Sequence, residues 1–521
     1  MANSKYEYVK SFEVEDEVMF PNLIVVRIDG RHFRRFSEVH EFVKPNDEKA
    51  LNLMNFCAMV MLEEYPDIVF AYGFSDEFSF VFKKTSKIYQ RRASKVLSII
   101  VSFFTSLYIS KWREFFPRRD LKYCPSFHAQ VISCASIEVL QAYLLWRQNV
   151  CHINNQYDEC YWRLVKRGMT GMEAQAYLAA EKRDKNDVLF DEFSFNYNIL
   201  EDIFRQGSCV FKAEVEDIVK YNEEGPVKRL RRKTKIVHSK KIASKSFWKE
   251  HPILLKELGS FVEEIDKVKP EYYIRSFEFE NKLMPSTWII IRIDGCHFHR
   301  FSELHEFEKP NDERALNLMN SCAMAVLEEF QDMVFSYGVS DEYSFVLRKN
   351  SYLYQRRASE IVSSVVSFFT SMYVMRWKDF FQEKVLKYPP SFDGRAVCYP
   401  SSEILRDYLS WRQVDCHINN QYNSCFWKLV TSGKNKREAQ HEMKGAQLQK
   451  KLEELGIEYD KILAMFRHGS SIFWDKEDSI VEHHQNGNLS DSHMKKIMLE
   501  NCDIIGPKFW LEHSSILDEK Q

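Results

Sequence analysis

Apolar and polar positions along the chain alternate between the two-residue period of a strand and the longer period of a helix. Residues 23–28 are apolar and rich in β-branched side chains, which predicts a short buried strand. Asn46 or Asp47 can cap a following helix, in which apolar residues recur at helical spacing. Residues 69–82 predict a hairpin, because phenylalanines at alternate positions follow a polar turn at residues 75–77.

Helical patterns follow the hairpin. A long helix is predicted from residue 86 to about residue 116, and further helices from about residue 137 to residue 166. The most apolar part of the first helix, residues 98–109, is too short to cross a bilayer and is typical of a buried helix. Strand, helix and hairpin together favour an α/β (α+β) layer architecture over an all-helical bundle. No membrane association is expected.

The whole pattern occurs twice. The segment around Arg27 reads IVVRIDGRHFRRFSEVHEF, and the segment around Arg292, 265 residues later, reads IIIRIDGCHFHRFSELHEF. Later motifs keep this offset, including SDEFSF and SDEYSF, YQRRAS in both copies and CHINNQY in both copies. A period this long indicates a duplicated domain rather than a solenoid. Two domains are therefore predicted, residues 1–265 and 266–521, with their boundary near residues 261–272.

Composition narrows the class of protein. The 521 residues carry a formal charge of −2, and 45% of them are hydrophobic, which is ordinary for a globular protein. The twelve cysteines include no CxxC pair, and the N-terminus has no apolar signal-peptide core. We expect free thiols in a reducing compartment. A net charge near zero does not exclude RNA binding, which depends on local basic patches.

Three carboxylates of each repeat fall at predicted chain reversals. Asp29 ends the first strand and precedes Gly30, which lets the backbone approach a ligand closely. Asp76 and Glu77 lie at the hairpin turn and converge on Asp29 if the two strands are neighbours. Mg²⁺ usually takes one or two carboxylates plus substrate phosphates, and a pair of such ions can drive phosphoryl transfer. The alternative is that these are solvated turn residues. The second repeat has the same residue types at Asp294, Gly295, Asp341 and Glu342.

Basic residues near these carboxylates allow two interpretations. Arg91, Arg92 and Lys95 begin the next predicted helix, where they face either a triphosphate or solvent. Arg27 interrupts an apolar strand, which indicates either an anionic partner or a structural ion pair.

Two further segments carry candidate RNA contacts. The HINN motif contains His152 and Asn155, which either contact RNA or phosphate or have a structural role. The basic run at residues 228–235 is a nuclear import signal, an RNA-contacting loop or a solvated loop. The residues alone thus indicate a duplicated, metal-dependent enzyme that acts on nucleotides or phosphates.

The motifs RIDG, SDEFSFVF, YQRRASK, PSFDGR and WRQxDCHINN, in this order, resemble the tRNA-histidine guanylyltransferase family over nearly the whole chain, twice. The resemblance implies two tandem palm-like domains, similar to those of polymerases and nucleotidyl cyclases, each with helical additions. It implies addition of a guanylate to the 5′ end of tRNA-His in the 3′–5′ direction. The implied steps are activation of the 5′-phosphate by ATP, attack by the 3′-hydroxyl of GTP and loss of pyrophosphate, with two Mg²⁺ ions per site.

The resemblance also assigns roles to residues. Metal would be bound by the side chains of Asp29 and Asp76 and the backbone carbonyl of Gly30, with Glu77 in support. The residues implied to contact the nucleotide in the first repeat are Arg27, Asp29, Gly30, Arg31, His32, Phe33, Arg34, Ser75, Asp76, Arg92 and Lys95. The second repeat offers Arg292, His297, Phe298, His299, Ser340 and Arg357 beside its metal-binding and catalytic Asp294, Gly295, Asp341 and Glu342. Contacts to tRNA are implied for His152, Asn155, His417 and Asn420.

Neither repeat matches the family pattern at every position. The first repeat has Arg34 where the family has histidine, and the second has Cys296 where the family has arginine. The position of Lys95 becomes Glu360, an anion where the triphosphate is expected. The PSFDGR motif survives at residues 390–395 but reads PSFHAQ at residues 125–130. Because the first repeat has more cations at these positions, we expect it to bind and use the nucleotide better than the second repeat.

Two further expectations concern assembly and location. Because the family forms tetramers, a tandem chain would form a homo-oligomer, a dimer that mimics the tetramer. The basic run predicts a nuclear location, with the cytoplasm as a second compartment.

A tRNA-binding or scaffolding protein with one or both halves catalytically decayed is the alternative function. A nucleotidyl cyclase is a weaker alternative, because it leaves the HINN region unexplained.

Overall fold

A computed structural model of the chain describes residues 4–222, 225–239, 242, 244–258, 271–476 and 495–517. The chain divides into two compact units. The first unit is Asp16–Glu280, and the second unit is Met1–Glu15 together with Asn281–Gln521. These units differ from the sequence repeats at their edges, because a short segment at the start of each repeat belongs to the other unit. Most of the predicted boundary region, residues 261–270, lies outside the described residues.

The first unit contains an antiparallel sheet with helices on both faces. Its strands are β1 (Leu23–Arg31), β2 (Ile68–Phe74), β3 (Glu77–Phe82), β4 (Ser126–Cys134), β5 (Ser208–Asn222), β6 (Gly225–Val237) and β7 (Glu278–Phe279). Its α-helices are α1 (Phe33–Val39), α2 (Glu48–Glu64), α3 (Ala93–Phe115), α4 (Ile137–Lys166), α5 (Gly171–Ala180), α6 (Lys185–Phe193), α7 (Asp202–Gln206), α8 (Lys245–Lys249), α9 (Pro252–Leu258) and α10 (Glu271–Arg275). Short 3₁₀ helices occupy Ile88–Arg91 and Tyr197–Ile199.

Strand order places β1 inside this sheet, between β3 and β4. The described strands run in the order β6-β5-β2-β3-β1-β4-β7, and neighbouring strands are antiparallel. Successive strand residues face opposite sides. Val25 and Tyr72 on one face are buried in a cluster with Tyr143 of α4, and Phe80 on the other face packs against Phe104 of α3 at 6.0 Å between ring centroids. The second half of α4 forms a smaller apolar cluster with α5 and α6.

The second unit repeats this architecture. Its strands are β8 (Trp288–Gly295), β9 (Met333–Val339), β10 (Glu342–Leu347), β11 (Phe392–Tyr399), β12 (Ser470–Lys476) and β13 (Lys495–Glu500). Its α-helices are α11 (Phe298–Leu304), α12 (Glu313–Glu329), α13 (Ala358–Phe380), α14 (Ser402–Thr431), α15 (Lys436–Met443), α16 (Leu448–Glu454), α17 (Ala464–His468) and α18 (Pro507–Glu512). Its 3₁₀ helices are Glu7–Phe12, Leu353–Arg356, Tyr459–Lys461 and Ser514–Leu517. The described strands run in the order β11-β8-β10-β9-β12-β13, again antiparallel.

The predicted fold class, two tandem α/β domains with antiparallel sheets and helical additions, is confirmed. The strand at residues 23–28, the hairpin at residues 69–82 and the helix capped by Asp47 all form. Asp47 accepts a hydrogen bond from the backbone N–H of Ala50 at 3.1 Å.

The prediction for the start of the long helix was wrong. Instead of beginning at residue 86, α3 begins at Ala93, after a tight turn with positive φ at Tyr89, Gln90 and Arg91. The buried Arg91 guanidinium donates to several backbone carbonyls, including those of Val18 and Ser86. Arg91 therefore holds the chain turn together and does not face a triphosphate.

The apolar helices α3 and α13 are core helices. Each has 23 residues and is long and apolar enough to cross a membrane, but 78% and 67% of their apolar windows are buried inside the protein. The basic run also differs from its prediction as a loop, because residues 228–235 lie within β6, paired with β5.

Candidate active site

The carboxylates of the first unit meet where β1 ends beside the β2–β3 turn. Asp29 lies directly opposite Glu77 in the β1–β3 register. The backbone N–H of Gly30 donates to the backbone carbonyl of Asp76 at 3.1 Å, which fixes the turn against the strand. Ser75 has φ of 51°, and its hydroxyl donates to Oδ1 of Asp76 at 3.0 Å. The predicted convergence of the three carboxylates therefore occurs.

The second unit builds the same corner. Asp294 pairs with Glu342 in the β8–β10 register, and Gly295 N–H donates to the carbonyl of Asp341 at 3.0 Å. Glycine is required here for space. A Cβ on Gly30 would lie 2.6 Å from Oδ2 of Asp76, and one on Gly295 would lie 2.9 Å from Oδ2 of Asp341. Only a glycine lets the strand approach the aspartate this closely.

Burial raises the pKa of the aspartates in both units, and a neighbouring aspartate adds to this rise at Asp76 and Asp294. Burial and, next, the charge of Asp29 raise the pKa of Asp76 from 3.8 to about 7. Burial also raises the pKa of Asp29, although the positive charges of Arg27 and Arg147 act to lower it. In the second unit, burial and then Asp341 raise the pKa of Asp294 to about 7. Paired carboxylates with raised pKa values are common where a cation or catalysis requires them.

A buried arginine supports the third carboxylate. Arg147 on α4 makes a two-pronged contact with Glu77, with Nε donating to Oε1 at 2.7 Å and Nη2 donating to Oε2. Both side chains are less than a tenth exposed. In the second unit, Glu342 receives donors from both Arg412 and Arg292. Glu77 and Glu342 are therefore held as ion-pair partners that orient the turn.

The two units differ in what Arg27 and Arg292 contact. Arg27 donates to Oε1 of Gln130 at 2.7 Å and lies 3.6 Å from Glu278. Arg292 instead contacts Asp294 at 3.1 Å, besides Glu342. The residue opposite the strand-end aspartate on the neighbouring strand also differs, since His128 lies opposite Asp29 whereas Asp393 lies opposite Asp294.

Each unit has a large cavity beside its carboxylates. The cavity of the first unit has a volume of about 610 Å³, and that of the second about 620 Å³. The predicted site residues that line the first cavity are Asp29, Phe33, Arg34, Ser75, Asp76, Glu77 and Asn155. Those that line the second are Phe298, His299, Ser340, Asp341 and Asn420. In each unit, about half of the predicted nucleotide and tRNA residues thus line the cavity beside the carboxylates.

Other predicted site residues lie outside this lining. Arg31 is buried on β1, and His32 and His297 have positive φ where α1 and α11 begin. His152 packs edge-on against Tyr197 at 5.3 Å between ring centroids, and His417 packs in the same way on His468.

The predicted triphosphate cations are paired within the protein. Arg92 lies 3.8 Å from Asp16, while its counterpart Arg357 lies 2.8 Å from Glu360. The residue at the position of Asp16 in the second repeat is Asn281. Replacing Lys95 by Glu360 makes the second site more negative, and replacing Asp16 by Asn281 removes a negative charge. The second change therefore partly offsets the first.

Several cavity residues were missed in the sequence. Arg147 and Arg412 belong to the WRQ motif, and that motif was a usable signal for an ion pair. Lys44 lines the first cavity together with Asp158, whose pKa burial raises to about 6. Nothing in the sequence places residue 44 against residue 158, because only the fold brings them together.

The donor set fits a hard divalent cation. Among the described residues, no group of three or more histidine, cysteine, aspartate and glutamate side chains is arranged to hold an ion. The site instead offers two aspartates that repel one another, beside a glycine backbone that approaches Asp76 closely. Mg²⁺ needs only one or two protein carboxylates when substrate phosphates supply the remaining ligands.

Comparison with known proteins identifies the family. A family model described as tRNA(His) guanylyltransferase matches residues 6–135 and 271–400, and one described as the Thg1 C-terminal domain matches residues 138–251 and 403–506. The chain is 62% identical to tRNA(His) guanylyltransferase 1 of Arabidopsis thaliana, covering 99% of this chain and 91% of that protein. It is 60% identical to tRNA(His) guanylyltransferase 2 of the same plant, covering 99% of both. A probable tRNA(His) guanylyltransferase of Dictyostelium discoideum is 47% identical over 48% of this chain and 97% of its own length.

Two α/β units with paired carboxylates, together with these matches, define a nucleotidyltransferase in which the domains of the family occur twice. The chain belongs to the tRNA(His) guanylyltransferase family.

Proposed function

We propose that the chain adds a guanylate to the 5′ end of tRNA(His) in the 3′–5′ direction. The observation that carries this proposal is the aspartate pair beside a large cavity, present in both units. The high identity to two Arabidopsis relatives, named as tRNA(His) guanylyltransferases, supports the same substrate and reaction. ATP adenylylates the tRNA 5′-phosphate and releases pyrophosphate, the 3′-hydroxyl of GTP attacks that phosphate and displaces AMP, and pyrophosphate is then removed from the added nucleotide.

Two Mg²⁺ ions per site fit this chemistry. In the first unit they would be held by the side chains of Asp29 and Asp76 and the carbonyl of Gly30. In the second unit Asp294, Asp341 and Gly295 take these roles. When bound, the ions supply activation of the attacking hydroxyl and stabilisation of the leaving oxygen. The protein residues fix the carboxylates, and Glu77 keeps the turn in place through Arg147.

Other residues bind and orient the substrates. Phe33, Arg34 and Ser75 line the nucleotide, and Asn155 contributes an amide on α4. Asn155 Nδ2 donates to Oδ1 of Asn46 at 2.8 Å, which fixes the HINN segment beside the cavity. The triphosphate cations are Arg27, Arg31, Arg92 and Lys95 in the first unit, and Arg292 and Arg357 in the second. His152 and His417 position the tRNA from α4 and α14.

The test uses α-labelled GTP and a tRNA(His) transcript with three proteins. These are the unchanged chain, D29N/D76N and D294N/D341N. Label transfer by the unchanged chain, with the loss divided between the two double variants, supports the proposal. Binding of tRNA without transfer would instead support the scaffolding alternative, and release of a cyclic nucleotide from GTP would support the cyclase alternative.

The protein acts in the nucleus as a homo-oligomer. Arg229 to Arg232 in β6 are exposed, as an import signal requires. Neutralising residues 228–235 should move a fluorescent fusion to the cytoplasm. If the fusion stays nuclear and tRNA affinity falls, the run is an RNA contact, with a shallower salt dependence of binding.

A dimer of chains would reproduce four catalytic domains, and light scattering after size exclusion measures the number of chains in the assembly directly.

A further inference from the structure

The first residues of each repeat pack in the unit of the other repeat. Val9, from the start of the first repeat, is fully buried in the core of the second unit with Tyr399 and Tyr408. The ring of Phe12 lies 5.4 Å from that of Tyr399. The chain then enters its own unit at Asp16, whose carboxylate accepts from the N–H of Ser94 at 2.6 Å.

The equivalent segment of the second repeat does the same in the opposite direction. The 265-residue offset aligns Val9 with Ile274, and Ile274 is buried in the core of the first unit. The carbonyl of Phe277 accepts from the N–H of Ser133 at 2.8 Å, and β7 pairs with β4. Residues 4–15 and residues 271–280 are therefore two reciprocally exchanged segments.

The exchanged segment 4–15 also reaches the second site. A cavity of about 440 Å³ is lined by Arg292, Asp294, Asp341 and Glu342, and Lys10 and Glu13 line it as well. Lys10 Nζ lies 5.1 Å above the ring of Trp411, another lining residue. Glu13 forms an ion pair with Arg395.

The Glu13–Arg395 pair explains a difference between the two units. Arg395 lies opposite Arg292 in the β8–β11 register, so two cations share one side of the site. With Glu13 neutralising Arg395, Arg292 contacts Asp294 and Glu342. In the first unit the position of Arg395 is Gln130, and the aligned Glu278 lies near Arg27 itself.

We propose that residues 4–15, although they begin the first repeat, are a functional part of the second repeat's nucleotide site, in which Glu13 is a positioning residue acting through Arg395. Residues 271–280, through Glu278, have the matching role in the first site. The proposal rests on the proposed function for the choice of GTP as ligand, but the packing of the segments is tested without it.

The binding test isolates one site at a time in the full chain. In D29N/D76N, which keeps the second site, E13Q removes an anion and frees Arg395 from its ion pair, so GTP binding in calorimetry should strengthen by about tenfold, the effect of one charge-assisted contact. In D294N/D341N the same change should leave GTP binding unaltered. E278Q should show the reverse pattern, and E13D, which keeps the negative charge beside Arg395, should leave GTP binding as it is in D29N/D76N. An effect of E13Q on the first site, or on neither, overturns the proposal.

The second measurement does not depend on GTP or on catalysis. Deleting residues 1–15 should speed amide hydrogen exchange in β11 of the second unit and leave β4 of the first unit protected. Faster exchange in β4 with β11 unchanged would show that the segment packs on its own repeat. If amide hydrogen exchange follows the expected pattern but the protein transfers no guanylate, the proposed function fails. The packing of each segment in the unit of the other repeat is still supported.

Discussion

Removal of the Arg147 side chain should destabilise the first unit strongly. R147M keeps an unbranched apolar stem but removes the two donors to Glu77. Glu77 and Arg147 are 8% and 9% exposed at their side chains, so the Glu77 carboxylate would stay largely desolvated after losing its donors. Leaving one member of a buried ion pair without its partner typically costs about 3–5 kcal/mol.

The second unit supplies the matched comparison. R412M removes the equivalent arginine, but Glu342 keeps its contact with Arg292. A retained charged hydrogen bond contributes about 2 kcal/mol. We therefore expect R412M to lower the free energy of unfolding by roughly half as much as R147M. The double variant R147M/E77M removes both charges and should recover most of the stability lost in R147M.

The assay is native-state hydrogen exchange, which reports on each unit separately. Protection of α3 gives the free energy of opening the first unit, and protection of α13 gives that of the second. R147M should lower protection in α3 alone, and R412M in α13 alone. Equal losses for the two variants, or no recovery in R147M/E77M, would refute the ion-pair reasoning.

The remaining predictions concern charge and metal. E360K frees Arg357 from an ion pair of 2.8 Å and should strengthen GTP binding by the second site, measured in D29N/D76N; unchanged affinity would show that the triphosphate lies elsewhere. Because the pKa of Asp76 is raised from 3.8 to about 7 on folding, the folded state binds the extra proton, and stability without metal should fall as pH rises through that interval. Mg²⁺ should therefore raise the melting temperature more at pH 8 than at pH 6, with a smaller difference in D76N; a Mg²⁺ effect independent of pH would contradict this.

The local parts of the site could be predicted from the sequence. The strand ending in Asp29-Gly30 and the hairpin turn at Asp76 both have signals within a few residues, and the repeat showed that they occur twice. The convergence of the carboxylates followed from placing these strands side by side, and β1 does pair with β3.

Contacts between distant residues could not be predicted in this way. Glu77 and Arg147 are 70 residues apart, and Glu13 and Arg395 are 382 apart. No periodicity joins such pairs, because the fold alone brings them together. The same limit affected the charge comparison of the two repeats, since the proximity of Asp16 to Arg92 was not visible in the sequence.

The most direct test of the account is guanylate transfer by a chain that lacks both aspartate pairs. D29N/D76N/D294N/D341N keeps both cavities and nearly the same side-chain volume but removes the proposed metal ligands. With α-labelled GTP, ATP, Mg²⁺ and a tRNA(His) transcript, the unchanged chain should label the tRNA, and the quadruple variant should lose several orders of magnitude in rate. Transfer by the quadruple variant at the rate of the unchanged chain would contradict the assignment of the active site to these carboxylates.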